Sequence, residues 1–347
     1  MKLNNKKLVP LDKFIEQSLY NKKTGYYMKK NPFGSGGDFI TGPNISVLFS
    51  EMIAIWLVDF WYNLKTPKKI NLVELGGGNA EMMFQIIKTS KNFPLFKKAC
   101  NFFIYEKSSY LEKIQKKKLK SFEVNWLKNF DKLDKAPTIF VGNEFLDAFP
   151  IKQLIKKNKV WFEKYVDLSS KFKKFVEIKT NLNKYEKKLG INFSKNQEII
   201  EFSPQSFKIL KTISKIINKF NGGLLIIDYG YFEEKMFDSL QSVKDHKKNN
   251  IFEEISNADI THMLNLNLIE KILNKFKLKI KGKSSQRDFL ISLGILNRAE
   301  IISKKLPFSK KADIYYRLKR LLDKNQMGEL FKVFFASNKK NNFKTGF

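Results

Sequence analysis

Cysteine, histidine and arginine are scarce in this chain of 347 residues. Cys100 is the single cysteine, so neither an internal disulfide nor a zinc site built from several thiolates can form. The two histidines, His246 and His262, lie far apart and match no metal-binding spacing. We therefore predict no metal site, and the low cysteine content favours a reducing compartment.

Long uninterrupted hydrophobic runs are also missing. The most apolar stretch, residues 47–64, is broken by Ser50, Glu51 and Asp59, and residues 1–7 lack the apolar core of a secretion signal. These absences predict a cytoplasmic protein with no membrane insertion.

Acidic residues are few relative to basic ones, 34 against 65, which gives a formal net charge of +31. Such a surplus can indicate a nucleic-acid partner. However, the arginines are limited to Arg287, Arg298, Arg317 and Arg320, and the lysines are scattered along the chain. Because arginine is the preferred side chain for bidentate phosphate and guanine contacts, the composition disfavours nucleic acid, which is kept as an alternative substrate.

The residues that are abundant predict a folded α/β protein. Hydrophobic residues make up 43% of the chain and aromatic residues 14%. From about residue 70, short apolar runs alternate with helical patterns: strand 70–75, helix 80–90, strand 101–106, helix 109–118, strand 121–126 and strand 138–143. This order predicts a mostly parallel, twisted, Rossmann-like sheet with helices on both faces.

The changes in pattern also predict the domain organisation. Residues 1–66 read as an N-terminal helical and lid segment, with helices near 8–30 and 45–63 around a glycine-rich loop at 31–43. Residues 151–202 alternate like antiparallel strands and interrupt the main domain as an inserted β-rich subdomain. The main domain comprises 67–150 and 203–347. Helix caps are predicted at Asn44, Ser203 and Asp259.

A glycine loop and a later acid predict a nucleoside cofactor. The strand 70–75 ends at Gly76, Gly77 and Gly78, and the next strand ends at Glu106. The third glycine position of a dinucleotide motif is occupied by Glu81, which would repel pyrophosphate.

S-adenosyl-L-methionine fits the same residues better, because it is cationic and carries no phosphate. Glu74 in the first strand suits that positive charge, and Glu106 can accept hydrogen bonds from ribose hydroxyls. A glycine turn beside an unrelated surface acid stays open as the alternative.

The fourth strand ends in polar residues that are candidates for catalysis. Asn143, Glu144 and Asp147 should face the ligand, because sheets of this type bind ligands beyond the carboxyl ends of their strands. Carboxylates here could orient a guanidinium or amine nucleophile. The alternative is a helix cap by Asn143 and a solvated Asp147. The loop 31–43 either is structural or brings Asp38 and Thr41 to the cofactor.

An ordered set of motifs carries a family resemblance. The set comprises Gly25-Tyr26-Tyr27, Gly37-Asp38-Phe39-Ile40-Thr41, Val73-Glu74-Leu75-Gly76-Gly77-Gly78, Asn143-Glu144-Phe145-Leu146-Asp147-Ala148, Ile227-Asp228-Tyr229-Gly230, Ala258-Asp259-Ile260-Thr261-His262, Gln286-Arg287-Asp288-Phe289-Leu290 and Met327-Gly328. With these motifs the chain resembles the MidA family of class I S-adenosylmethionine-dependent methyltransferases. The family pattern usually has proline, arginine and glycine where this chain has Gly77, Asn79 and Ala80.

The resemblance implies both site residues and a substrate. It implies that Glu74, Gly76, Gly78 and Glu106 line the cofactor site, and that Asp38, Asn143, Glu144 and Asp147 border the substrate. It further implies a protein arginine as methyl acceptor, in a protein connected with respiratory complex I assembly. Glu144 is then the first candidate to hold the guanidinium.

Two other functions stay open from sequence. They are a non-catalytic assembly factor or chaperone that retains the fold, and a nucleic-acid methyltransferase. The sequence leaves the oligomeric state open.

Overall fold

The computed structural model describes residues 7–34, 37–169, 172–193, 196–245 and 247–347. Ser35 and Gly36 of the predicted loop, the N-terminal residues 1–6 and His246 lie outside these ranges. The first part of the chain contains β1 (Leu8–Pro10), α1 (Leu11–Tyr20), α2 (Tyr26–Lys29), α3 (Gly42–Ile45) and α4 (Val47–Asn63).

The alternating part of the chain follows. It contains β2 (Ile70–Leu75), α5 (Glu81–Ser90), α6 (Pro94–Ala99), β3 (Cys100–Tyr105), α7 (Ser109–Lys118), β4 (Val124–Leu127) and β5 (Thr138–Asn143). Next come β6 (Lys152–Lys157), β7 (Val160–Asp167), β8 (Lys174–Thr180), α8 (Leu182–Leu189) and β9 (Ile199–Phe202).

The last part returns to the main sheet. It contains α9 (Pro204–Phe220), β10 (Gly222–Tyr231), β11 (Gln241–Lys244), β12 (Lys247–Asn249), β13 (Asp259–Thr261), β14 (Leu264–Asn265), α10 (Leu266–Lys275), β15 (Lys279–Ser285), α11 (Gln286–Ser292), α12 (Ile295–Ser303), α13 (Phe308–Leu322), α14 (Met327–Leu330) and β16 (Phe331–Ser337).

The central sheet has the order β15-β16-β10-β5-β2-β3-β4. Strands β10, β5, β2, β3 and β4 are parallel, and β16 is antiparallel to both of its neighbours. Because β10, β5, β2, β3 and β4 run in the same direction, their carboxyl ends meet at one edge of the sheet. This arrangement confirms the predicted Rossmann-like class I fold.

Helices cover both faces of this sheet, as the apolar strands require. In β10, Leu225 and Ile227 pack in a core with α4 and α5, whereas Leu224 and Ile226 pack in a second core with α9 and α10. Successive side chains of a strand point to opposite faces, so a strand buried on both faces is apolar throughout.

A second sheet forms beside the first. Its order is β1-β7-β6-β9, with β8 also on β7, and its strand pairs are antiparallel. The antiparallel strands predicted between 151 and 202 are therefore present, and the N-terminal strand β1 joins them. The division into domains stays a prediction.

Three local predictions differ from the structure. The helix expected over 8–30 ends at Tyr20, because Asn21 turns the chain by accepting hydrogen bonds from the backbone of Lys23 and Thr24. Helix α4 is capped by Ser46, whose Oγ accepts the Leu48 N–H at 3.3 Å, and not by Asn44.

The prediction of a helix from Asp259 is also wrong. Residues 259–261 pair with β11, and α10 begins only after Asn265, whose side chain caps it. His262 therefore does not lie in a helix. The predicted Ser203 cap of α9 is confirmed by its hydrogen bond from Ser206 N–H at 3.1 Å.

Candidate active site

The glycine loop follows β2 and has a backbone that needs glycine. Gly76 and Gly78 have φ angles of +71° and +50°, in the left-handed region where glycine carries no steric penalty. A Cβ added at Gly76 would meet the ring of Phe145 at 2.9 Å, and one at Gly77 would meet Ile104 at 2.7 Å. The loop therefore packs so closely on Phe145 and Ile104 that side chains larger than glycine do not fit.

Two cavities lie at this edge of the sheet. The larger has a volume of about 640 Å³ and extends from Glu106 to Phe130, beyond β3 and β4, and on to α9. The smaller has about 40 Å³ and is lined by Glu74 and Thr41, among others. Both are lined by Phe33, Gly76, Gly78 and Glu144, so the two cavities are neighbours that share part of their walls.

Glu74 is a buried acid beside the smaller cavity. Its side chain is 2% exposed, and within the described residues Oε2 has no hydrogen-bond partner. Burial, and then the negative charge of Glu106, raise the pKa of Glu74 well above its ordinary value. A carboxylate in this position gains stability from a cationic group placed next to it.

Glu106 is linked to the glycine loop. Its Oε1 accepts the Ser108 N–H at 2.8 Å, and its Oε2 accepts Nε2 of Gln115 at 2.9 Å. The same Gln115 nitrogen also donates to the carbonyl of Gly78 at 3.0 Å. Burial raises the pKa of Glu106, while the hydrogen bond from Ser108 opposes this rise. Gln115 thus fixes the acid relative to the loop.

Glu144 lies at the end of β5 in an unusual backbone conformation. Its φ angle is +51°, and its N–H donates to the carbonyl of Ile227 at 2.9 Å. Asn143 Nδ2 donates to its Oε1 at 3.0 Å. Burial and then the nearby Asp147 raise the pKa of Glu144 to about 8. Strained residues of this kind often mark functional sites.

Three more buried acids surround Glu144. Burial is the first cause of a raised pKa in each, which reaches about 7 for Asp228 and about 6 for Asp259 and lies well above the ordinary value for Asp147. Asp147 Oδ2 accepts the hydroxyl of Thr261 at 3.0 Å. Because like charges cannot all ionise at close range, this group of acids favours a cation in its vicinity.

Aromatic rings from the N-terminal segment line the larger cavity. The rings of Tyr20 and Tyr27 stack at 5.6 Å between centroids, and Tyr27 stacks on Phe33 at 6.3 Å. The Tyr20 hydroxyl donates to the Ala148 carbonyl at 3.0 Å, which holds this stack beside the turn that follows Glu144. The N-terminal segment therefore forms part of the cavity wall.

Thr41 and Asp38 lie in different surroundings. Thr41 lines the smaller cavity, and its Oγ1 accepts Nδ2 of Asn44 at 2.8 Å. Asn79 in turn donates to Asn44 at 2.7 Å, so the residue that replaces the family arginine ties the glycine loop to the N-terminal segment. Asp38 instead accepts hydrogen bonds from Tyr26 and Lys30, and it is absent from the described lining of both cavities.

The structure therefore brings most of the predicted site residues together. Glu74, Gly76, Gly77, Gly78, Glu106, Asn143 and Glu144 line one or both cavities. Asp147 lies behind Glu144, in the acid group, and Asp38 lies apart. Their individual roles stay predictions.

Sequence reasoning missed Tyr20, Tyr27, Phe130, Asp228 and Asp259. Phe130 carried a local signal, since it follows a strand of the parallel sheet, whereas Tyr27, Asp228 and Asp259 stood in the motifs without an assigned role in the site.

The fold is that of class I methyltransferases. A family model described as "Putative S-adenosyl-L-methionine-dependent methyltransferase" matches residues 52–284. The chain therefore belongs to this family, the MidA family of S-adenosyl-L-methionine-dependent methyltransferases, and its cofactor is S-adenosyl-L-methionine.

Curated relatives match over most of the chain. The protein arginine methyltransferase NDUFAF7 of Xenopus laevis is 26% identical over 97% of this chain and 83% of its own length. The homologue of Caenorhabditis elegans is 30% identical over 79% of this chain and 70% of its own length. The human protein is 23% identical over 94% and 79%, respectively.

A solved structure supports the fold. A Burkholderia thailandensis protein, crystallised with S-adenosyl-homocysteine, superposes with a TM-score of 0.82 at 21% identity. The superposition covers 98% of this chain and 90% of the other.

The predicted cytoplasmic location is wrong, because these curated relatives are all named mitochondrial. The prediction failed because a low cysteine content is typical of any reducing compartment and does not distinguish the cytoplasm from the mitochondrion. Across the described ranges, none of the helices combines the length and apolar character needed to span a bilayer.

Proposed function

We propose that this methyltransferase modifies the guanidinium group of an arginine in a protein, and that this protein is a subunit of respiratory complex I. The observation that carries the proposal is the group of buried acids around Glu144 at the base of a cavity with aromatic walls. The curated relatives are named protein arginine methyltransferases, which supports the same acceptor group, and the family's association with complex I assembly favours a complex I subunit.

The residues beside the glycine loop fit the methyl donor. Glu74, buried and with an oxygen lacking a described partner, would hold its ammonium group, and Glu106 would accept hydrogen bonds from the ribose hydroxyls. Gly76, Gly77 and Gly78 line the cavities with backbone atoms alone, which a ligand can approach closely. When bound, S-adenosyl-L-methionine supplies an electrophilic methyl group on a positively charged sulfur.

The aromatic walls suit a flat cation. A guanidinium is planar, weakly hydrated and able to stack on aromatic faces. Tyr20, Tyr27 and Phe33 present a stack on one side of the larger cavity, and Phe145 and Phe149, whose centroids lie 4.9 Å apart, line it as well. The walls would orient the acceptor nitrogen and exclude water from it.

Glu144 is the residue that we propose binds the acceptor. Its Oε1 is already hydrogen-bonded to Asn143, and we assign its second oxygen to the guanidinium N–H groups. The guanidinium must lose one proton when its nitrogen gains a methyl group. A bound guanidinium favours the ionised form of Glu144, whose pKa of about 8 in the ligand-free protein makes the carboxylate basic enough to receive that proton.

We also propose that the chain is divided into three functional parts. Residues 1–66 would act as a lid, 67–150 and 203–347 as the methyltransferase domain, and 151–202 as an inserted subdomain. The hydrogen bond from Asn79 to Asn44 supports a lid that responds to the glycine loop. Limited proteolysis tests this: S-adenosyl-homocysteine should slow cleavage within 31–43, and an unchanged rate would contradict the lid.

The function is tested by methyl transfer to a mitochondrial extract. The purified protein should transfer labelled methyl groups from S-adenosyl-L-methionine to arginine, and peptide mass spectrometry should place the label in a complex I subunit. Label on lysine, on nucleic acid or on no component would contradict the proposal.

A matched pair of variants tests the role of Glu144. Glu144→Gln should lower kcat at least about 100-fold, the loss typical of removing one charge-stabilising group, while calorimetry shows S-adenosyl-homocysteine affinity within about threefold. Asp131→Asn, at an exposed position lining the same cavity, should leave kcat nearly unchanged. Full activity of Glu144→Gln would refute the role.

A further inference from the structure

The turn that follows β5 is held from outside by one carboxylate. Glu144 has a φ angle of +51°, and the three residues after it run through a turn in which their N–H groups have no partner in a helix or strand. All three N–H groups donate to Oδ2 of Asp228, at 3.1 Å from Phe145, 2.8 Å from Leu146 and 3.4 Å from Asp147.

Asp228 is placed for this task by the sheet register. Ile227 of β10 pairs with Asn143 of β5, so the next residue of β10 lies beside the turn. Asp228 is 2% exposed, and its second oxygen, Oδ1, accepts the N–H of Tyr229 at 2.9 Å. A carboxylate that accepts several backbone N–H groups makes strong, charge-assisted hydrogen bonds.

The backbone of Glu144 requires such support. A residue other than glycine in the left-handed region is strained and persists only where its surroundings enforce that conformation. Without an acceptor, the buried N–H groups of the turn would also lose their hydrogen bonds. Both effects favour rearrangement of the turn and hence displacement of Glu144.

We infer that Asp228 is a positioning residue for Glu144. By accepting hydrogen bonds from the three N–H groups of the turn, its carboxylate keeps the Glu144 side chain directed into the cavity. This inference rests on the proposed function, in which Glu144 binds the acceptor. It assigns Asp228 no contact with substrate or cofactor.

The test is a double-mutant cycle of kcat with Asp228→Asn and Glu144→Gln, measured by steady-state methyl transfer from radiolabelled cofactor to the mitochondrial extract. Asparagine has one acceptor oxygen and places an NH2 group against backbone donors, so Asp228→Asn alone should lower kcat at least about tenfold. In the Glu144→Gln background the same change should cause less than about a twofold further loss. Losses that multiply in the double variant would overturn the inference.

Two measurements separate positioning from a structural effect. The affinity of Asp228→Asn for S-adenosyl-homocysteine should stay within about threefold of wild type, since Glu74 lies on β2 and Glu106 directly after β3, away from the turn that Asp228 holds. An affinity that falls as much as kcat would overturn the inference. Asp323→Asn is the matched control: this aspartate also accepts a backbone N–H in a turn, at 2.8 Å from Asn325, and kcat should not change.

A second variant covers the case in which Asp228→Asn does not fold. Asp228→Glu keeps the negative charge but moves it by one methylene, so it should fold, bind S-adenosyl-homocysteine normally and show a lowered kcat; unchanged kcat would overturn the inference. An inactive wild-type protein would instead count against the proposed function, so the two failures are distinguishable.

Discussion

The hydroxyl of Tyr27 donates a hydrogen bond to Oδ1 of the buried Asp259 at 2.9 Å. Tyr27 belongs to the short helix α2 and Asp259 to strand β13, so the bond joins the N-terminal segment to the acid group beside Glu144. The backbone carbonyl of Tyr27 also accepts the hydroxyl of Ser108, at 2.6 Å, just beyond β3. Tyr27, which is part of the cavity wall, is thus hydrogen-bonded both to the acid group beside Glu144 and to the chain just after β3.

We predict that Tyr27→Phe destabilises the protein by about 1–3 kcal/mol, because it removes a donor from a buried carboxylate without removing the ring. Urea unfolding followed by circular dichroism measures this loss. Tyr316→Phe is the control, since that side chain is 67% exposed, and its effect should stay within about 0.5 kcal/mol. Equal losses for the two variants would contradict the prediction.

Lys152 joins the N-terminal helix to the second sheet. Its Nζ donates to Asp12 of α1 at 2.8 Å and also to Glu163 of β7. Burial alone would lower the pKa of Lys152, but the hydrogen bonds to these two acids raise the net pKa above its ordinary value. The ammonium group therefore stays charged between two largely buried carboxylates.

We predict that Lys152→Met costs about 3 kcal/mol or more in unfolding free energy, because it leaves two buried acids without their cation. Chemical denaturation measures the change. Lys13→Met removes one partner of an exposed pair with Glu16, 3.1 Å apart, and should cost less than about 1 kcal/mol. A loss below that of the control would show that the acids find other partners.

The sequence predicted the parallel sheet because its signals are local. The strands β2, β3 and β5 and the helices α5 and α7 lie within one residue of their predicted bounds, since apolar runs and helical periodicity arise from residues close in the chain. The glycine loop, Glu106 and Glu144 were found for the same reason, since each directly follows a strand, and Glu74 was found because it is an acid within an apolar strand.

The parts of the site that were missed have no local signal. Tyr20 and Tyr27 reach the cavity because α1 packs on the second sheet and contacts Ala148, and α2 packs on α1 and α7, which sequence spacing does not indicate. Asp228 was visible as a motif residue, but its role depends on the pairing of β10 with β5. Asp259 was interpreted as a cap because aspartate is common before a helix. In the structure it lies in β13, which pairs with β11.

The conformation of Gly76 gives a test of the cofactor site. Gly76→Ala adds a Cβ that would lie 2.9 Å from the Phe145 ring in a backbone conformation that disfavours alanine. We expect S-adenosyl-homocysteine affinity to fall at least tenfold, equivalent to about 1.4 kcal/mol, in isothermal titration calorimetry.

Gly294→Ala is the matched control for Gly76→Ala. Gly294 also has a left-handed φ angle, +83°, but an added Cβ would meet nothing within 4 Å. Gly294→Ala should therefore cost stability through backbone strain and leave the affinity unchanged. Equal affinities for wild type and Gly76→Ala would contradict the placement of the cofactor beside Gly76.

The raised pKa values around Glu144 predict how stability depends on pH. In the folded protein the pKa is about 8 for Glu144, about 7 for Asp228 and about 6 for Asp259, each raised first by burial. Between their ordinary values and these values, the folded state binds more protons than the unfolded state. The unfolding free energy of the ligand-free protein must then decrease as pH rises through this range.

His262 limits the useful pH window. Burial lowers its pKa to about 4, so between pH 4 and its ordinary value of 6.5 the unfolded state binds the extra proton and stability increases with pH. Below pH 6.5, His262 and the acids around Glu144 therefore change the unfolding free energy in opposite directions. Above pH 6.5 the effect of the acids dominates, and we predict that the Tm of the ligand-free protein falls from pH 6.5 to pH 8.5.

The contribution of Glu144 to this slope can be isolated. One acid that is protonated when folded and ionised when unfolded changes the unfolding free energy by at most about 1.4 kcal/mol per pH unit. Glu144→Gln cannot ionise, so its Tm should fall less steeply between pH 6.5 and pH 8.5, whereas Glu123→Gln, at an exposed position, should follow wild type. Parallel curves for wild type and Glu144→Gln would show that Glu144 ionises at its ordinary pKa, and the proton-accepting role proposed for it would then lose its physical basis.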